Sequence, residues 1–130
     1  MSTLDPTVVQ KIPTGDADAV DVGDAVVEYL TTKALTDFTT PDYTLHYLPD
    51  VAKDHESRIV FGEKKYGQRL KINNGRDALT DAYEECLDAL SYLAQAHLEG
   101  GSGCLGLFYR VADIAAEVRD KLCRKTVTHQ

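Results

Sequence analysis

Residues Asn73–Glu99 read NNGRDALTDAYEECLDALSYLAQAHLE, the longest unbroken helical pattern in the chain and the one densest in carboxylates. Advancing about 100° per residue sorts this stretch into faces. Leu79, Ala82, Tyr83, Cys86, Leu90, Leu93 and His97 form an apolar sector, widened by Leu87, Ala89, Ala94 and Leu98. Asp77, Asp81, Glu84 and Asp88 make a narrow stripe opposite, and Glu85 stands at the boundary between the two. Asn74 is placed to cap the helix, with Asp77 reaching back to the free amides, and Gly100-Gly101 supplies a left-handed stop. An apolar sector this wide is more than one neighbour can cover. The helix is therefore expected at the centre of a bundle and at a subunit interface, which makes the chain a homo-oligomer.

The carboxylates of that helix ask for an explanation. Acids gain from the helix dipole only in the first turn or so, and Glu84, Glu85 and Asp88 lie further in. None of them has a lysine or arginine four residues on. Like charges at this spacing cost about 0.2–0.5 kcal/mol per pair, a cost that a bound cation reverses. The bland alternative is a solvated helix face that binds nothing.

The flanking segments read as support. DVAKDHESRIVFGEKKYG, from Asp50 to a stop at Gly67, is helical, with Val51, His55, Ile59, Gly62 and Tyr66 on one face. Gly62 allows close approach of a neighbouring helix at about 1 kcal/mol in propensity. Glu56 and Glu63 stack two turns apart on the edge of that face, and Lys64 and Lys65 sit in the last turn, where cations suit the dipole. After a QRLKINNG loop, the central helix and an EGGSG hinge comes CLGLFYRVADIAAEVRDKLCRK, whose Cys104, Leu107, Phe108, Val111, Ile114, Ala115, Val118 and Leu122 make an amphipathic stripe. Glu117 and Lys121 hold the favourable four-residue spacing on its polar side, and the tail RKTVTHQ is expected to fray. Upstream, Asp24 caps a short helix, AVVEYLTTKAL, with Val26, Val27 and Leu30 towards the core. Pro41 and Pro49 bracket TLHYL, which reads as a short extended segment or connector. The expected architecture is a single-domain all-α bundle of three to four helices, with residues 1–45 as an irregular extension carrying the short helix and 46–130 as the helical domain.

Composition narrows the function. With 130 residues, 43% of them hydrophobic, the chain suits one core, and a net charge of −7 argues against a nucleic-acid partner bound through its backbone. Three cysteines without a CxxC read as reduced thiols of a cytoplasmic protein, and no signal-like or spanning apolar run points to a membrane. Cys86, Cys104 and Cys123 show no zinc spacing with His55 or His97. Serine-hydrolase, P-loop and dinucleotide fingerprints are missing from the sequence.

The segment GEKKYGQRLKINNGRDALTDAYEECLDALSYLAQAH resembles the phage-encoded branch of the MazG-like, all-α nucleoside triphosphate pyrophosphohydrolases, over roughly a third of the chain. In that branch a K-Y-G turn leads through a short loop to D-A-x-E-E-x-x-D-x-x-x-Y-L. The family's E-x-x-D metal motif is similar to Glu85–Asp88; of its E-E-x-x-E motif only Glu56 and Glu63 stand in the corresponding region, at a different spacing. The resemblance implies magnesium held by Glu85 and Asp88 with Glu56 or Glu63, Glu84 as a further ligand or general base, and Lys64, Lys65 or Arg69 on phosphate oxygens. It implies hydrolysis of a nucleoside or deoxynucleoside triphosphate to monophosphate and pyrophosphate, in the host cytoplasm if the chain is phage-encoded. Two other readings stay open: a non-catalytic nucleotide binder, and a structural oligomerisation module.

Overall fold

The computed structural model of the chain describes residues 19–36 and 41–128, without the side chains of residues 42, 43 and 126–128. Four helices make up nearly all of it: α1 (Val22–Thr36), α2 (Asp42–Tyr66), α3 (Ala78–Leu98) and α4 (Cys104–Thr128). Among the described residues there is no strand, only an isolated antiparallel bridge between Asp21 and Lys71. The chain is thus all-α, as its periodicities predict. Residues 1–18 and 37–40 of the predicted N-terminal extension lie outside the described residues. The described helices form two compact units, α1 with α2 and α3 with α4. None of the described helices is long and apolar enough to cross a membrane.

In the first unit, α1 begins at Val22 and its cap lies three residues before the predicted one. Asp21, not Asp24, is the capping residue: its Oδ1 accepts the Asp24 amide at 3.1 Å and its carbonyl accepts the Ala25 amide at 3.3 Å. An aspartate at either position satisfies an orphan amide, so sequence alone does not separate them. Val26 and Leu30 turn inwards as expected, but Val27 is exposed.

α2 departs most from the reading of TLHYL as extended or connecting. The helix starts at Asp42 and runs through Pro49 without a break. Pro49 has no amide for the Leu45 carbonyl, a defect that costs about 3 kcal/mol in a helix interior. Packing offsets it: Leu48 is buried, and Leu48, Pro49 and Ala52 meet Leu30, Ala34 and Leu35 of α1 around an apolar groove of about 200 Å³. Towards the other end of α2, Ile59 is buried beside Gly23 in the first turn of α1, so the two helices run antiparallel. Gly67 closes α2 in the left-handed region (φ 81°), its amide on the Glu63 carbonyl. Gly62 serves no close approach, since a methyl group there would meet nothing within 4 Å.

In the second unit, α3 starts at Ala78, later than predicted. Asn73 (φ 55°) and Gly75 (φ 83°) are left-handed, and the Asn74 carboxamide folds onto the Arg76 amide at 3.1 Å in a turn of its own. Asp77 is the cap, accepting from the Thr80 amide and hydroxyl. At the far end the two glycines act as predicted: the Gly101 amide bonds to the Ala96 carbonyl and the Gly100 amide to the His97 carbonyl, a Schellman motif. The chain reverses into α4, which lies antiparallel on α3. Lys125 Nζ is 3.6 Å from Asp77 Oδ1, and the Arg119 guanidinium stands 6.0 Å from the Tyr83 ring centre.

Within this unit the one helix partner of α3 is α4, and none of the residues of α3 is buried. The predicted α4 stripe also divides. Ala115 and Leu122 are buried and Cys104, Phe108, Val111 and Val118 half-buried, whereas Leu107 and Ile114 are exposed. α4 continues to Thr128, so most of the tail expected to fray is helical.

Two glycine substitutions test this account with opposite signs. Gly62→Ala adds helix propensity in open space and should stabilise the protein by about 1 kcal/mol. Gly100→Ala forces a side chain to φ 93° and should destabilise it by a similar amount, about 1 kcal/mol, in urea or thermal denaturation.

Candidate functional site

The residues singled out for function fall into two groups, one on each unit. On the first, the Arg69 guanidinium is shared by two carboxylates. Its Nε and Nη2 contact Asp21 at 2.7 and 3.3 Å, and its Nη1 and Nη2 contact Glu56 at 2.7 and 3.0 Å. Both edges of the fork are thereby engaged in the bidentate geometry that suits arginine best. Lys71 Nζ adds a weaker contact to Asp21 at 3.6 Å. The Val22 amide bonds to the Leu70 carbonyl and the Ile72 amide to the Val20 carbonyl, so backbone and side chains together fasten the start of α1 to the segment after α2. Gly23 makes room for this cluster, because a methyl group there would stand 2.8 Å from Arg69 Nη2.

The charges respond accordingly. Arg69's hydrogen bonds hold Asp21 down from 3.8 to about 2, against the burial that pushes it up, with the Asp24 amide and Lys71 adding to the pull. Arg69 also lowers Glu56, and Glu56 and Asp21 together make the guanidinium hold its proton more tightly than usual. Two residues that the family resemblance assigns to different partners, Glu56 to metal and Arg69 to phosphate, are therefore bound to each other. Asp21 and Lys71 complete the cluster and were not among the predicted site residues. The one sequence signal for Asp21 is its three-residue spacing from Asp24, which marks a cap and says nothing of Arg69.

Of the other predicted residues on α2, Glu63, Lys64 and Lys65 are exposed, and Lys65 lies 5.3 Å from the Tyr66 ring centre. Glu56 and Glu63 are two turns apart, about 10 Å along the axis, too far to ligate one ion together.

On the second unit, Glu84, Glu85 and Asp88 lie within five residues of α3, all three exposed. None makes an ion pair or side-chain hydrogen bond with any described residue. Asp77, by contrast, is committed to structure: burial works against its ionisation, but the Thr80 hydrogen bonds and Lys125 outweigh it and leave the carboxyl below its ordinary value. No group of three or more Asp, Glu, His or Cys side chains among the described residues is arranged to hold a metal ion. Cys86, Cys104 and Cys123 are free thiols. No family model, curated protein or solved structure matches this chain.

The Asp21–Arg69–Glu56 cluster makes a pH-dependent contribution with a definite sign. Both carboxyls are depressed in the folded state, so their contribution is complete above the unfolded values of 3.8 for Asp21 and 4.5 for Glu56 and declines as pH falls below them, Asp21's share being lost by about 2. Acid titration followed by circular dichroism should show a loss of stability in that window that is smaller in Asp21→Asn, which keeps only the Glu56 share; identical acid profiles would refute it. Arg69→Met, which strips Asp21 of its main partner, should cost about 1–3 kcal/mol at neutral pH.

Proposed function

We propose that the chain is a nucleotide-directed, magnesium-dependent pyrophosphohydrolase of the cytoplasm, working as a homo-oligomer, with α3 as the helix that meets the metal and the triphosphate. The observation that carries this reading is the set Glu84, Glu85 and Asp88: three carboxylates on one short stretch of α3, exposed and without a countercharge among the described residues. The MazG-like resemblance of the surrounding sequence gives that set its chemistry.

The donors suit magnesium as half of a site. This ion takes oxygen ligands, keeps several waters, and uses one or two carboxylates together with substrate phosphates. Glu85 and Asp88, three residues apart and so neighbours on the helix surface, are the natural pair. With no third carboxylate among the described residues converging on them, these two would hold the ion weakly by themselves, and the phosphates of the substrate would supply further oxygens. The bound ion supplies neutralisation of phosphate charge and a more acidic water. Glu84, four residues before Asp88, accepts the proton of the attacking water at its carboxylate oxygen. The water oxygen bonds to the α-phosphorus, the bond to the α–β bridging oxygen breaks, and pyrophosphate leaves.

A second reading has its own support. The pairing of Glu56 with Arg69 removes one acid and one base from the set that the family resemblance names, and this favours a nucleotide binder without turnover.

One experiment separates the readings: thermal melts with magnesium, with nucleotide and with both, across NTPs and dNTPs, read beside pyrophosphate release. Magnesium alone should leave Tm unchanged, while the pair at tenfold over Kd should raise it by about 5 °C. Glu85→Gln and Asp88→Asn should abolish the shift and the release. A shift without release establishes the binder. No shift with any nucleotide refutes both, and leaves the stripe as a solvated face.

A further inference from the structure

α4 carries a second stripe, beside the one that packs on α3. Leu107 and Ile114 are 44% and 52% exposed, and Arg110, Glu117 and Lys121 are exposed with them. Their spacing, 107, 110, 114, 117 and 121, alternates three and four residues, so the five share one face of the helix. The charges on this face are unused. Arg110, Glu117 and Lys121 make no ion pair or side-chain hydrogen bond with any described residue, although Glu117 and Lys121 stand at the separation where a helix pair forms readily.

We propose that this stripe is a self-association surface, on which α4 of one chain packs against α4 of a second copy, antiparallel and about a two-fold axis at Ile114. The sequence of the stripe is self-complementary about that residue. Taking Ile114 as zero, an arginine stands at four residues before and a glutamate at three after, while Leu107 and Lys121 stand at seven on either side. In the antiparallel pair Ile114 meets Ile114 of the second copy, Arg110 meets Glu117 in two equivalent ion pairs, and Leu107 lies along the methylene stem of Lys121. A parallel pair would set Arg110 against Arg110 and Glu117 against Glu117, so like-charge repulsion selects the antiparallel arrangement. The charge pattern likewise favours a second copy over an unrelated partner, since one face supplies both members of each ion pair. The stripe extends about 21 Å along the helix, less than a standard interface needs, so the dimer is of micromolar strength. This inference does not depend on the nucleotide reading, because none of these five residues belongs to the α3 carboxylate set.

Sedimentation velocity of the full chain across the micromolar range tests it, without nucleotide or metal. The wild type should show a reversible monomer–dimer equilibrium. Ile114→Lys should weaken it by about tenfold or more, as should Arg110→Glu and Glu117→Arg singly. The double exchange Arg110→Glu with Glu117→Arg should restore it, a rescue that a mere loss of folding cannot mimic. A chain that stays monomeric at every concentration, a trimer or larger assembly, a dimer indifferent to Ile114→Lys, or an exchange no stronger than its single variants would each overturn the proposal.

Discussion

The first helical unit depends on one guanidinium. Arg69 joins a residue 48 positions before it to one 13 positions before it, and through them ties the start of α1 to the body of α2 and to the segment that follows α2. Asp21 does three things at that point: it caps α1, pairs with Lys71 in the backbone bridge, and neutralises Arg69. The apolar contribution in this unit is modest, with Leu48 and Ile59 as its buried hydrophobic side chains among the described residues. A charge-assisted hydrogen bond contributes about 1.5–3 kcal/mol net, similar to burying one such side chain. With so few buried residues, the ion cluster is no minor ornament on a hydrophobic core. It carries a share of the same size.

The two carboxylates of that cluster are not equivalent. Asp21's side chain is 10% exposed and fixed by backbone contacts, whereas Glu56's is 42% exposed and held by Arg69. The second unit treats its acids differently. Asp77 is consumed in capping α3 and in meeting Lys125, while Glu84, Glu85 and Asp88 stay open to solvent on the same helix. A helix that neutralises its terminal acid and leaves three interior ones unpaired keeps an electrostatic cost of roughly 0.2–0.5 kcal/mol per neighbouring pair. That residual repulsion is the physical core of the functional proposal.

What could be read from the sequence follows from range. The all-α class, the Schellman end of α3 and the stop at Gly67 are local matters of periodicity and of glycine's left-handed freedom, and all three hold. The failures occur where a distant partner decides. Pro49 reads as a breaker because the packing of Leu48 on α1 is invisible in the local pattern. Asn74 and Asp77 are both sound capping residues, and the left-handed turn at Asn73 and Gly75 settles the choice for Asp77. For the site, the carboxylates of α3 were legible as a pattern. The pairing of Arg69 with Glu56 was not, since it depends on how the segment after α2 lies against that helix.

The tight Schellman reversal between α3 and α4 also bears on the order of events during folding. Only Glu99–Gly103 separate the two helices, so their contacts close a short loop, and contacts of small sequence separation form fastest. The α3–α4 hairpin is therefore suited to assemble as soon as its residues are available. Contacts that span much of each unit, Asp21 with Arg69 in the first and Asp77 with Lys125 in the second, each join positions 48 residues apart and carry the higher loop-closure cost. A unit built this way closes from its connection outwards, so the start of α1 and the start of α3 are the last points to be fastened.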